Sequence, residues 1–201
     1  MDLTGGWILP AAWGVLGLTI IACGALARDH ARALAAGIGA VSLLWVVFGA
    51  GANAAMLADG TTYAGFADAS PIPFVRRTWE SLVVPHHHAF IGLLIAGEAV
   101  AGALVLVGGR TRQVTLLLLV AFNLTLVVFG WGFAIWGVPV ATGLALLARA
   151  DRAGRSDRED RPEREDRPGR RSAGVRIRRR RPSAGASSGR HRSPRSRVPS
   201  P

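Results

Sequence analysis

Lysine is missing from this 201-residue chain, and all 24 basic residues are arginine. That choice reads as a bias of the coding sequence rather than the demand of a particular site. Cysteine is almost missing too, with Cys23 alone. A single thiol forms no internal disulfide and no dithiol pair, which excludes an oxidised scaffold and dithiol redox chemistry within the chain. The sequence contains no nucleotide-binding glycine loop, no catalytic triad and no zinc-ligand spacing, and the expected role is non-catalytic or at most cofactor-assisting. Acidic residues number 13, of which residues 1–150 hold six against seven arginines. Residues 151–201 hold the other seven against 17 arginines, so the net charge of +11 divides into +1 and +10. Basicity belongs to the C-terminal part and says nothing about the rest.

Long apolar runs are abundant. The segment Pro85–Arg112 contains about 22 residues with Glu98 as the single ionisable group, between a histidine triplet and a turn of glycines and arginines. Such a run crosses a hydrocarbon core of about 30 Å as a helix rising 1.5 Å per residue. Residues 7–27 form a first run that we expect to be retained as a span, because Asp2 precedes it where a cleaved signal carries a basic start. Residues 33–58 form a second, with small or polar residues at Ala33, Gly37, Gly49 and Asn53 that permit close helix approach. Residues 59–84 are broken by Gly60, Gly65, Pro71 and Pro73, and read as an interfacial segment. Within it Phe74, Val75, Trp79 and Leu82 share one helical face, and Arg76, Arg77 and Glu80 take the other.

Residues 113–148 would make a helix of about 54 Å, more than tilt absorbs, so the run must break. Three glycines and Pro139 between Phe129 and Pro139 supply the break, giving spans near 113–130 and 134–149. The expected fold is all-α, a multi-pass transmembrane helical bundle of five spans, or four with a long broken last helix, followed by a disordered tail over 151–201. With five spans, Arg28 and Arg32, Arg110 and Arg112, and Arg149 fall on one side, with Trp7, Trp13, Trp79, Trp131 and Trp136 toward the other. Cytoplasmic loops are enriched in arginine, which puts the tail in the cytoplasm.

That tail repeats Arg-Glu-Asp-Arg-Pro at 158–162 and 164–168 and then carries eleven arginines without an acid, including Arg176, Arg178, Arg179, Arg180 and Arg181. With so few apolar residues it cannot bury a core. It can bind anionic lipid, or nucleic acid without sequence specificity, or remain solvated with no partner. Specific nucleic-acid recognition is not expected.

Glu98 leads the candidate functional residues. A carboxyl at mid-membrane depth is expensive and needs a partner. Asn123 lies at matching depth on the following span, which makes it the expected hydrogen-bond partner across an antiparallel hairpin. Asn53 and Thr125 are further polar groups that can bond neighbouring helices. Functionally, Glu98 is a proton-carrying carboxyl or a ligand contact; structurally, it is an interhelical tie. His86, His87 and His88 point about 100° apart on a helix and do not converge on one metal, although one of them with Glu80 or Asp68 could make a weak metal site or a pH-sensitive contact.

The run Glu98-x-x-x-Gly102-x-Leu104-x-Leu106-x-Gly108-Gly109-x-x-Arg112, followed by another apolar span, resembles the DoxX-like family of small bacterial membrane proteins. The resemblance implies a helical bundle, commonly of four spans, in the bacterial plasma membrane. It also implies a role as membrane partner of redox proteins, with a quinone as the linked small molecule and no cofactor required by the chain itself. Two other classes stand beside it: a small proton-coupled carrier using Glu98, and a purely structural membrane subunit.

Overall fold

The computed structural model describes residues 8–159. Among these, the protein is helical throughout, with no strand. The first helix, α1 (Ile8–Leu26), turns within a few residues into α2 (Ala31–Ala58), and His30 precedes it in an extended conformation. The middle of α2, Leu44–Gly51, is wound as a π-helix. A loop with a 3₁₀ turn at Ala64–Ala67 leads to the short helix α3 (Pro73–Thr78), which runs on as a π-helical turn, Trp79–Val83. Pro73 occupies its first turn and Ile72 before it is extended, the arrangement that proline's fixed φ favours. The long helices α4 (His87–Val107), α5 (Gly109–Leu126, extended by a 3₁₀ turn to Phe129) and α6 (Trp131–Glu159) complete the chain.

Four helices are long and apolar enough to cross a membrane, at Ala31–Ala58, His87–Val107, Gly109–Phe129 and Trp131–Ser156, while the apolar stretch of α1, Pro10–Leu26, is shorter. Their outward faces carry large bare apolar side chains: Leu18 is 63% exposed, Leu93 72% and Ile135 74%. Exposure of this kind on every long helix suits lipid rather than water.

Two connections explain how so short a chain folds back so often. Gly108 (φ 86°) and Gly109 (φ 60°) join α4 to α5 without a loop, in backbone conformations that side chains disfavour. Gly130 (φ 132°) joins α5 to α6, and a Cβ there would meet the carbonyl oxygen of Ala69 at 2.8 Å. The expected break therefore exists but is one residue wide, and Pro139 stays inside α6 rather than helping to end a helix. Both members of that pair are longer than expected, since α5 starts at Gly109 instead of 113 and α6 continues to Glu159 instead of ending near 149. Asp151, Arg152 and Arg155, placed by composition in a coreless tail, thus belong to the bundle. The expectation for Arg176 and Arg178 to Arg181, like that for Trp7, lies outside the described residues.

The five longer helices form a ring in the order α1, α2, α4, α5, α6, with α6 packed against α1. Glycines set the closest crossings: a Cβ on Gly24 would lie 2.5 Å from the Gly143 oxygen, and one on Gly102 would lie 2.6 Å from Val46 Cγ2. The apolar core, including Ile20, Val41, Leu44, Val105, Leu116, Leu144 and Leu147, fills one end of the ring. These residues come from the C-terminal parts of α1 and α4, the middle of α6, the N-terminal part of α5 and the first half of α2. All of them lie toward the arginine-bearing turns.

Candidate functional site: a polar anchor in an aromatic cavity

The opposite end of the ring is not filled. A cavity of about 420 Å³ lies there, walled by the N-terminal parts of α1, α4 and α6, the C-terminal parts of α2 and α5, and the segment between α2 and α4. Aromatic side chains dominate its wall. Trp13 stacks on Trp136 with centroids 4.3 Å apart, and Phe66 stacks on Trp79 at 4.8 Å. Phe129 and Phe133 surround Phe66 at 5.0 and 5.1 Å. Contacts of this kind contribute about 0.5–1.5 kcal/mol each beyond the area they bury.

Glu98 reaches this cavity from the middle of α4. Its Oε2 accepts a hydrogen bond of 3.0 Å from Asn53 Nδ2 on α2. The approach of α2 to α4 makes this contact: Val46 packs on Gly102, and Gly49 faces the Glu98 carboxyl so closely that a Cβ would lie 3.0 Å from its Cδ. Asn53 follows Gly49 by one turn. The π-helical winding of Leu44–Gly51 and of Trp79–Val83 coincides with cavity-lining residues on both segments, and such windings are frequent at functional sites.

The expected Glu98–Asn123 hydrogen bond is replaced by this one. Asn123 is buried, and its Nδ2 donates to Leu119 O on its own helix at 2.8 Å. Both residues still line the cavity, so matched depth brought them to the same space without making them a pair. Thr125 also stays on its own helix, donating to Ala121 O at 2.9 Å.

A residue that the sequence did not single out completes the polar group. Tyr63 donates its hydroxyl toward Asn53 O at 3.1 Å and Asn53 Oδ1 at 3.3 Å, and its carbonyl accepts from Trp79 Nε1 at 2.8 Å. It is the single described non-glycine residue with positive φ, 58°, a conformation held here by contacts at both of its ends. Burial first, and then the Glu98 carboxyl, push the Tyr63 phenol above its ordinary value of 10.0. The loop is pinned further along by Ser70, which donates from Oγ to Val128 O at 2.6 Å and accepts from the Ile72 amide. Arg76 donates to the Ser70 carbonyl, where a bond to Glu80 one turn on was the other available use of its charge. Trp79 faces the cavity while Phe74 is 70% and Leu82 45% exposed, so the expected apolar face of this segment is split between the two sides.

The histidines lie at the start of α4 and do not line the cavity. The helix begins at His87 rather than Pro85, His87 Nδ1 contacts Val84 O at 2.8 Å, and the rings of His87 and His88 lie 4.3 Å apart. Among the described residues, His86, His87 and His88 do not join Glu80, Asp68 or any other acid into a group able to hold a metal ion.

At the far end, the Gly-Gly-x-x-Arg turn has a structural use. Arg112 donates from Nε to Val105 O at 2.8 Å, capping α4, and its Nη1 pairs with Asp151 Oδ1 at 3.1 Å. Arg155 pairs with the other carboxylate oxygen at 3.1 Å and donates to Gln113 Oε1. Comparison with known proteins adds no relative: no family model, no curated protein and no solved structure matches the chain.

Proposed function

We propose that the protein is a multi-pass membrane protein that holds a small, largely apolar molecule in the cavity beside Glu98, as a proton-linked carrier. The observation that carries this reading is the cavity itself, 420 Å³ of space walled by aromatic side chains, with Glu98, Asn53 and Tyr63 converging on it. Ligand sites are of this size and make-up, mostly apolar with a few placed polar groups. A purely structural subunit would gain more from a filled core, as at the other end of the ring, because empty space forfeits packing.

A second reading has its own support. The glycine and arginine pattern that resembles DoxX-like proteins favours a place in a bacterial plasma membrane beside redox proteins, and a cavity of this size admits a quinone head group. The two readings share the site and differ in its occupant.

The binding site is testable before its ligand is known. Protein purified gently from its membrane and extracted with organic solvent should release one small molecule at near-stoichiometric amount, detectable by mass spectrometry. Gly49→Leu, which fills the space beside Glu98, should lose that molecule. Equal recovery from both proteins, or none from either, would count against a ligand site.

A further inference from the structure

The chemistry of the cavity wall restricts what can sit in it. Among the described residues, the wall contains one carboxyl, Glu98, and no arginine or histidine. Its donors are mostly engaged by the protein. Asn53 donates to Glu98, Tyr63 to Asn53, Trp79 to the Tyr63 carbonyl, and Asn123 and Thr125 to their own helices. The wall donors left without a partner among the described residues are the indoles of Trp13, Trp45 and Trp136 and the second amide N–H of Asn53 and of Asn123. Glu98 itself receives one hydrogen bond from the described residues, at Oε2. An ionised carboxylate only accepts, and it can take about four donors. A molecule that meets Glu98 therefore meets unfilled lone pairs with aromatic faces around them, and aromatic faces attract cations through the ring quadrupole.

A ligand carbonyl in the same place could accept from Glu98 only while Glu98 keeps its proton, and it would bring no charge to the wall. A ligand ammonium meets no such opposition, and it supplies the positive charge that the wall lacks. We propose that the cavity takes an organic cation with an apolar, ring-bearing body, and that its entry displaces one proton from Glu98; this rests on the cavity being a ligand site. The exchange balances in charge and atoms. A neutral carboxyl and a cation become a carboxylate–cation pair, and the proton leaves to water.

Glu98 is the ionisable group that α4 brings to the cavity wall; His86, His87 and His88 at the start of the same helix do not line it. The wall residues of α2 and α5 that pack against α4 bring no ionisable group, and the intervening segment brings Tyr63. Its phenol is held above its ordinary value and stays neutral through the range in which carboxyls titrate. Arg76, the nearest arginine of that segment in sequence, is occupied with the Ser70 carbonyl and does not line the cavity.

The test uses the full chain in lipid nanodiscs, reading the fluorescence of Trp13, Trp45, Trp79 and Trp136, all of which line the cavity. Benzyltrimethylammonium is the cationic probe and decylubiquinone the neutral one. The cation should change the fluorescence saturably. Its affinity should rise about tenfold per pH unit where Glu98 of the empty site is still protonated and level off once it is ionised, and in the lower range each molecule bound should release one proton in weak buffer. Glu98→Gln, checked for its thermal transition, should weaken the cation more than tenfold and remove the pH dependence. Gly49→Leu, which crowds the carboxyl without removing it, should also block binding, so the result does not hang on one variant folding. Cation binding that is independent of pH, or unchanged in Glu98→Gln, would overturn the proposal. So would saturable binding of decylubiquinone without the cation, although that outcome would keep the ligand site. Absence of binding by either probe, with Gly49→Leu indistinguishable from the native chain, would remove the site as well.

Discussion

At the scale of single residues, the polar contact that matters is Asn53 with Glu98, and it yields a measurable coupling. Leaving a carboxyl or an amide unpaired in hydrocarbon is costly, yet interhelical hydrogen bonds in membranes contribute only about 0.6 kcal/mol on average and seldom above about 1.7, because unfolded spans also find partners. In a double-mutant cycle of Glu98→Leu and Asn53→Leu, the double loss should fall short of the sum by an amount in that range. The same cycle with Asn123→Leu should be additive, since Asn123 is satisfied within α5. Strong coupling to Asn123 and none to Asn53 would restore the pairing expected from depth. The sequence made Glu98 visible, because a lone acid in a long apolar run is an anomaly, but left its partner ambiguous. Depth along a helix can be counted from sequence; rotation about the helix and the nearest neighbour cannot. One signal was present. Gly49 and Asn53 lie one turn apart, and the missing side chain at Gly49 is what lets the Glu98 carboxyl approach Asn53. Tyr63 offered no signal, because its role comes from a left-handed backbone and contacts with two distant residues.

At the scale of elements, the end of α6 is where composition misled. The stretch after Arg149 is polar and charged, and on those grounds has no core to join. It nevertheless continues the helix, and Asp151 is buried between two guanidiniums, with Arg112 and Arg155 each 3.1 Å from one of its oxygens. Arg112 also donates a hydrogen bond to Asp151 Oδ1, whereas the Arg155 pair is a close charge contact without hydrogen-bond geometry, and a hydrogen bond to a charged group contributes about 1.5–3 kcal/mol. Truncation after Arg149 should therefore lower the thermal transition of the solubilised protein, and Asp151→Asn should reproduce most of the loss. Truncation after Glu159 should leave the transition in place, because it keeps the whole described helix. If all three proteins melted together, the Asp151 pairs would have no stabilising role. The element boundaries that did follow from sequence had covalent causes. Gly108, Gly109 and Gly130 have backbone angles that other residues adopt at a cost, whereas Pro139 was misleading because a proline within an otherwise supported helix can be tolerated.

For the whole molecule, the ring of helices sorts the chain's charges by end. The α1–α2 turn carries Arg28 and Arg32, the α4–α5 turn Arg110 and Arg112, and the far end of α6 Arg149, Arg152 and Arg155. The long α2–α4 connection and the turn at Gly130 lie at the other end, with Arg76 and Arg77 offset by Asp59, Asp68 and Glu80. Positive residues in short loops stay on the cytoplasmic side during insertion, so this sorting predicts a C-terminus in the cytoplasm and the cavity near the outer face. The division of residues 113–148 at Gly130 supports an odd number of crossings when α1 is counted as one, because the arginine-bearing ends then share a side. Fusions made after Glu159 and after Pro201 test the orientation together with the count. Alkaline phosphatase should be inactive at both sites and green fluorescent protein bright, while phosphatase inserted near Gly60 should be active. Active phosphatase at the C-terminal sites with a silent insertion at Gly60 would invert the protein and turn the cavity toward the cytoplasm. Activity at Gly60 and at the C-terminal sites alike would show that α5 and α6 together make one crossing rather than two.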